Sequence, residues 1–120
     1  MNKYTEMSDL EINKRVFVAA KIEHEDTDLH SNKVFYGDGA NWIEFNPCNN
    51  PSDAMPIIIE NNISLHAPHL RGGWMAECTG SSDDVNDGFQ ADYFDAHNKN
   101  PYRAAMEVFL MIKGAENEKV

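Results

Sequence analysis

Cysteine is scarce in this chain. Cys48 and Cys78 are the only two in 120 residues, too few for a disulfide scaffold, and they lack the paired C-x-x-C that marks a zinc knuckle. They read as reduced thiols of a cytosolic protein. Long apolar runs are also missing. The longest, such as Val108–Ile112, falls far short of the ~20 residues needed to cross a bilayer, so no membrane association is expected. The opening MNKYTEMSDLE is polar and has no apolar h-region, so no secretory signal peptide is expected. Neither G-x-x-x-x-G-K-[ST] nor G-x-G-x-x-G occurs, which removes the usual phosphate cradles. Bases are scarce in the middle of the chain. Residues 34–98 carry ten acids and one base, Arg71, and so hold −9 of the net charge of −10. That field repels phosphate backbones, and no direct nucleic-acid binding is expected. It equally suits a basic partner. The plainer reading is that the acids keep a small protein soluble.

What is present is an ordinary globular balance, 25% charged and 42% hydrophobic, in a length that suits one domain over 1–120. Ser8 followed by Glu11 is a capping box, with Met7 and Ile12 placed as its hydrophobic staple. Ile12, Val16, Ala19 and Ala20 recur at helical spacing, while Asn13, Lys14 and Lys21 fall elsewhere, predicting a helix over Asp9–Lys21. IEHEDTDLHSNK loses periodicity and reads as a charged loop. Val34–Tyr36 and Trp42–Phe45 look like hairpin strands around GDGA.

Next comes NNPSDAMPIIIENNISL, which sets three isoleucines behind two prolines. With Asp53 as N-cap, Pro56 falls in the first turn, where a missing N–H costs little, and Pro51 belongs to the approach. Ile57 and Ile58 are the expected core anchors, and Asn61–Asn62 tolerate a left-handed ending. The rival, a buried strand through Pro56–Ile59, stays open in so short a run. Ile63–His66 and Gly73–Cys78 read as strands, the second with Trp74, Ala76 and Cys78 on one side. TGSSDDVNDG is an acidic loop, and FQADYFDAHNK suggests a short strand. Asn100 as N-cap, Pro101 as first residue and Gly114 as stop enclose a final helix whose apolar surface only Arg103, Glu107 and Lys113 interrupt. The ordered core is expected over about 7–114, with a polar tail over 115–120. The fold class is α+β, a mostly antiparallel sheet of four or five short strands packed against an N-terminal and a C-terminal helix, plus one short central helix.

Three pieces of sequence, SDLEINKRV at 8–16, CNNPSDAMPIIIENNISL at 48–65 and NPYRAAMEVFLMIKG at 100–114, resemble the NinX-like family of small phage proteins. They span 42 of the 120 residues. The chain departs from the family pattern at Met55, where tryptophan is expected, and at Tyr102, where leucine is usual. The resemblance implies a phage accessory protein in the cytoplasm of an infected bacterium, with no assigned activity and no established catalytic residues to carry over.

Residue chemistry offers several candidate sites. Cys48, His66, His69 and Cys78 are four zinc-ligand types. The thiols stand alone, however, and Pro68 keeps the two histidines off a shared helical face, so a core cysteine and solvated histidines are the plainer reading. Nucleophilic catalysis would need Cys48 or a serine beside a base held by an acid, and nothing near NPCNN marks one. SSDDVNDGFQAD looks like a calcium loop, but with Gly88 at the glycine position a ligand position falls on Val85. No cofactor is expected. Tyr36, Trp42, Trp74, Tyr93 and Phe94 lie on or beside the predicted strands, and a sheet face presenting some of them among acids would look like an interaction surface.

The favoured function is therefore a non-enzymatic module that binds a host or phage protein through an acidic surface formed by Glu77, Asp83, Asp84, Asp87, Asp92 and Asp95. In its extreme form this would be a mimic of nucleic acid filling a basic groove. The alternatives are a small ligand- or metal-binding protein or enzyme using Cys48, His66 and His69, and a structural subunit of a homo-oligomer.

Overall fold

The computed structural model describes residues 3–21, 26–28, 33–37, 42–68, 73–79 and 93–118. Three helices and six strands follow in the order α1 (Asp9–Ala19), β1 (Asp26–Asp28), β2 (Val34–Gly37), β3 (Trp42–Phe45), α2 (Pro51–Glu60), β4 (Ser64–His66), β5 (Trp74–Thr79), β6 (Tyr93–Asn98) and α3 (Pro101–Glu118). All strand pairings are antiparallel. The α+β class holds, with one difference in layout. The strands form two three-stranded sheets, β1-β2-β3 and β4-β5-β6, in place of one. The first strand, β1, lies in the stretch that reads as a charged loop.

The first helix begins as its capping box predicts, with the Ser8 hydroxyl accepting from the Glu11 N–H at 3.1 Å. It ends at Ala19, two residues before the expected Lys21, because Lys21 turns left-handed (φ 54°). Its buried face holds Ile12, Val16 and Phe17, and also Asn13, which by spacing belongs to the polar side. Phe17 meets Tyr36 and Phe45 at centroid distances of 5.6 and 5.5 Å, and this aromatic cluster fastens α1 to the first sheet.

The isoleucine stretch is a helix, which closes the strand alternative. Its start differs from expectation. Asn50 is the N-cap, its side chain accepting from the Ser52 N–H at 3.0 Å, and Pro51 is the first helical residue, where its missing N–H is harmless. Asp53 instead turns its carboxylate back to the Asn46 N–H at 2.9 Å. Pro56 therefore sits sixth, inside the helix, and forfeits the bond that an N–H there would make to the exposed Ser52. Burial of Ala54, Ile57 and Ile58 holds the helix despite that loss, while Ile59 stays 67% exposed. The far end is a full Schellman motif. Asn62 is left-handed (φ 56°), its N–H bonds Ile59 O at 3.3 Å, and the Ile63 N–H bonds Ile58 O at 3.0 Å. Ile58 and Ile63 are both buried at its hydrophobic clasp.

The last helix forms the middle of the molecule, packing against β4, β5, β6, α1 and α2. Asn100 caps it, accepting from the Tyr102 N–H at 2.9 Å. It does not stop at Gly114 but runs on to Glu118. An isolated helical glycine costs only about 1 kcal/mol relative to alanine, and the turns on either side carry the helix through it. Gly73 has a different role. A Cβ there would lie 2.3 Å from Asn98 O, so the β5–β6 contact requires a bare backbone. No helix among the described residues is long and apolar enough to cross a membrane.

Candidate functional site

Two polar assemblies stand out, one buried and one open. The buried assembly joins the turn before α2, the start of α1 and the start of α3. The Arg103 side chain is only 6% exposed and Glu107, one turn on, 1%. Arg103 Nε donates to Glu107 Oε2 at 2.7 Å, and Nη1 donates to Asp9 Oδ1 at 2.5 Å. Nη2 donates to the carbonyls of Tyr4, Thr5 and Met7 at 3.0, 3.4 and 2.6 Å. Burial pushes the guanidinium pKa down, and the Asp9 and Glu107 carboxylates push it up by more, so its charge is secure.

Beside this cluster, Asn13 donates to Asn46 Oδ1 at 2.8 Å and accepts from the Cys48 N–H at 3.2 Å. The Cys48 carbonyl accepts from Asn100 Nδ2 at 2.6 Å. The Cys48 thiol is pushed up to about 12, chiefly by burial and then by the Asp9 charge, so it stays protonated and unreactive at neutral pH. The donors of Arg103, Asn13, Cys48 and Asn100 all have acceptors within the chain. The assembly ties three segments together. Spacing alone missed it, because Asn13, Arg103 and Glu107 read as surface residues. The available signal was Arg103 and Glu107 at i, i+4 inside an otherwise apolar helix.

The open assembly lies on the face of the second sheet that points away from α3. Along β5, Ala76 and Cys78 turn inward and are buried, so Met75 and Glu77 turn outward. Register sets Glu77 directly opposite Asp95, next to the Thr79–Tyr93 pair, and opposite Ser64 on the other side. Tyr93 Oη donates to Glu77 Oε1 at 2.6 Å. His66 Nε2 forms a short hydrogen bond with Glu77 Oε2. His97 Nδ1 lies 4.0 Å from Asp95 Oδ2. The Tyr93 and His66 hydrogen bonds hold the Glu77 carboxyl below its ordinary range. The same Glu77 contact raises the Tyr93 phenol from 10.0 to about 12. Tyr93 is nevertheless 53% exposed.

Of the predicted acidic surface, Glu77 and Asp95 are therefore brought together, with Tyr93, His66 and His97 added to them. Asp83, Asp84, Asp87 and Asp92 lie outside the described residues. Among the metal candidates, Cys48 is buried in the Arg103 assembly, and Cys78 faces inward with its thiol 3.4 Å from Asn61 O. His66 faces outward, bound to Glu77, and His69 lies outside the described residues. Among the described residues no group of three or more His, Cys, Asp or Glu side chains could hold a metal ion. Of the aromatic candidates, Tyr36 and Phe94 pack against the core, while Trp42 and Tyr93 are exposed.

No curated protein sequence matches the chain. A family model described as "Bacteriophage P22, NinX" matches residues 3–113, a span that takes in every residue of both assemblies and all but the last residue of the three resembling segments. The chain belongs to the NinX family of phage proteins.

Proposed function

We propose that this phage accessory protein is a non-enzymatic binding module that engages a basic surface of a host or phage protein through the open face of the second sheet. The observation that carries this reading is the Glu77–Asp95 pair. Two carboxylates directly opposite on neighbouring strands repel each other and cost stability. Here Tyr93 and His66 hydrogen-bond one acid and His97 lies beside the other, so both carboxylates stay together on an open face. A lysine or arginine from a partner could bridge the two acids, and the exposed Tyr93 ring supplies contact area beside the charges. The segment's net −9 would steer such a partner over a Debye length of about 8 Å at physiological salt.

A test uses the tagged protein as bait in lysate of phage-infected cells, washed over a salt series. A specific partner retained at low salt, released as salt rises, and lost from a Glu77→Gln/Asp95→Asn bait supports the reading. No partner at low salt, or one indifferent to those two substitutions, contradicts it. The cytoplasm of the infected bacterium is the compartment this reading requires.

A further inference from the structure

Away from the strands that carry the acidic face, α1 and α3 form an open groove of about 440 Å³. Its floor is apolar, from Val18 of α1 and Leu110 and Gly114 of α3, and Lys14, Arg15 and Lys113 rim it. Its described lining holds these three cations and no carboxylate, in a chain of net charge −10. Two features bear on what it could hold. Among the described residues neither Lys14 nor Arg15 makes an ion pair, in a chain where acids outnumber bases 20 to 10. Val18, although 63% exposed, lines the groove beside those cations. Gly114 deepens the floor, since no side chain rises from α3 at that turn.

We infer that this groove is a second docking site, for an acidic amphipathic segment of a partner protein whose apolar side chains fill the floor while its carboxylates meet Lys14, Arg15 and Lys113. Charge complementarity selects the occupant. A basic segment would meet three like charges, and a purely apolar one would bring no acid to Lys14 and Arg15. Helix-in-groove recognition supplies the geometry, with apolar anchors at i, i+3 or i+4 and i+7 lying along the floor. The site is independent of the acidic sheet face. The two together would let one small protein hold a basic and an acidic surface at once.

The experiment measures fluorescence polarisation of the full chain against a panel of labelled acidic peptides of about three helical turns. The panel carries Leu, Phe or Trp anchors at helical spacing, and a second panel replaces every acid with lysine. The expected result is saturable binding by at least one acidic peptide. That binding should weaken roughly tenfold in Lys14→Glu/Arg15→Glu and separately in Val18→Asp, weaken with salt, and stay unchanged in Glu77→Gln/Asp95→Asn. All substituted residues are at the surface, and circular dichroism checks that each variant folds. Three results would overturn the inference. They are absence of saturable binding across the acidic panel, binding that neither groove variant alters, and self-association that Lys14→Glu/Arg15→Glu abolishes, which would make a second copy the occupant. Failure of the sheet-face reading would leave all these readouts untouched.

Discussion

Arg103 carries a full charge into the interior, where five acceptors receive it: two carboxylates and three backbone carbonyls. Such a pair is costly to break from one side, because the remaining partner is left charged and dry. Arg103→Met should therefore cost about 3–5 kcal/mol in urea unfolding, since Glu107 is only 1% exposed. Arg103→Met/Glu107→Leu should recover part of that loss, because the stranded charge is gone. A single-variant cost below about 1 kcal/mol would assign the cluster to something other than folding.

Glu77 and Tyr93 make a prediction in pH. The phenol is raised from 10.0 to about 12 in the folded chain. Its contribution to stability is thus complete below pH 10 and is lost as pH climbs from there to about 12. Glu77 runs the other way. Its lowered carboxyl stabilises above the ordinary glutamate range, and that contribution is lost as pH falls through the lowered value. Absorbance titration of the wild type minus Tyr93→Phe should show one phenol ionising near 12, returning toward 10.0 when Glu77→Gln removes the neighbouring charge. A difference spectrum titrating at 10.0 in the wild type would mean that the contact does not persist in solution.

At the scale of elements, local signals that act over three or four residues were legible. Ser8 with Glu11, Asn100 with Pro101, and the left-handed Asn62 all do what their types favour, because a cap or a turn is satisfied by its immediate neighbours. Misreadings arose where a competing neighbour outweighed the simplest local rule. Pro56 reads as a first-turn proline, yet it sits inside α2 because Asn50 makes the better cap and frees Asp53 to hold the Asn46 turn. Gly114 reads as a stop, yet α3 passes through it. That difference yields a test. Among the described residues, a Cβ at residue 114 would meet Tyr4 Oη alone, at an ordinary 3.7 Å. Gly114→Ala should therefore stabilise the protein by about 0.5–1 kcal/mol in thermal or urea unfolding, by removing the entropy of a helical glycine. Destabilisation would show that the Tyr4 contact is tighter than this geometry allows.

For the whole molecule, two functions divide the sequence. The segments that carry the family resemblance, α3 among them, supply caps, core and the Arg103 assembly. That assignment was partly legible, since those segments read as helix starts and core. The contacts themselves were not, because the Arg103–Asp9 pair joins residues 94 apart in sequence and no short-range pattern encodes such a pairing. The strands β5 and β6 supply the open face. Alternation along β5 placed Glu77 outward, but only the strand register brings it opposite Asp95 and within reach of Tyr93 and His66.

Carbodiimide footprinting of carboxylates, read by mass spectrometry on the protein alone and in complex with the partner it captures, separates an open face that binds from a buried assembly that folds. Labelling of Glu77 and Asp95 should fall on complex formation, while that of Asp9, half-exposed at the edge of the Arg103 assembly, stays the same. Protection of Asp9 with Glu77 and Asp95 labelled as before would place binding at the buried assembly instead.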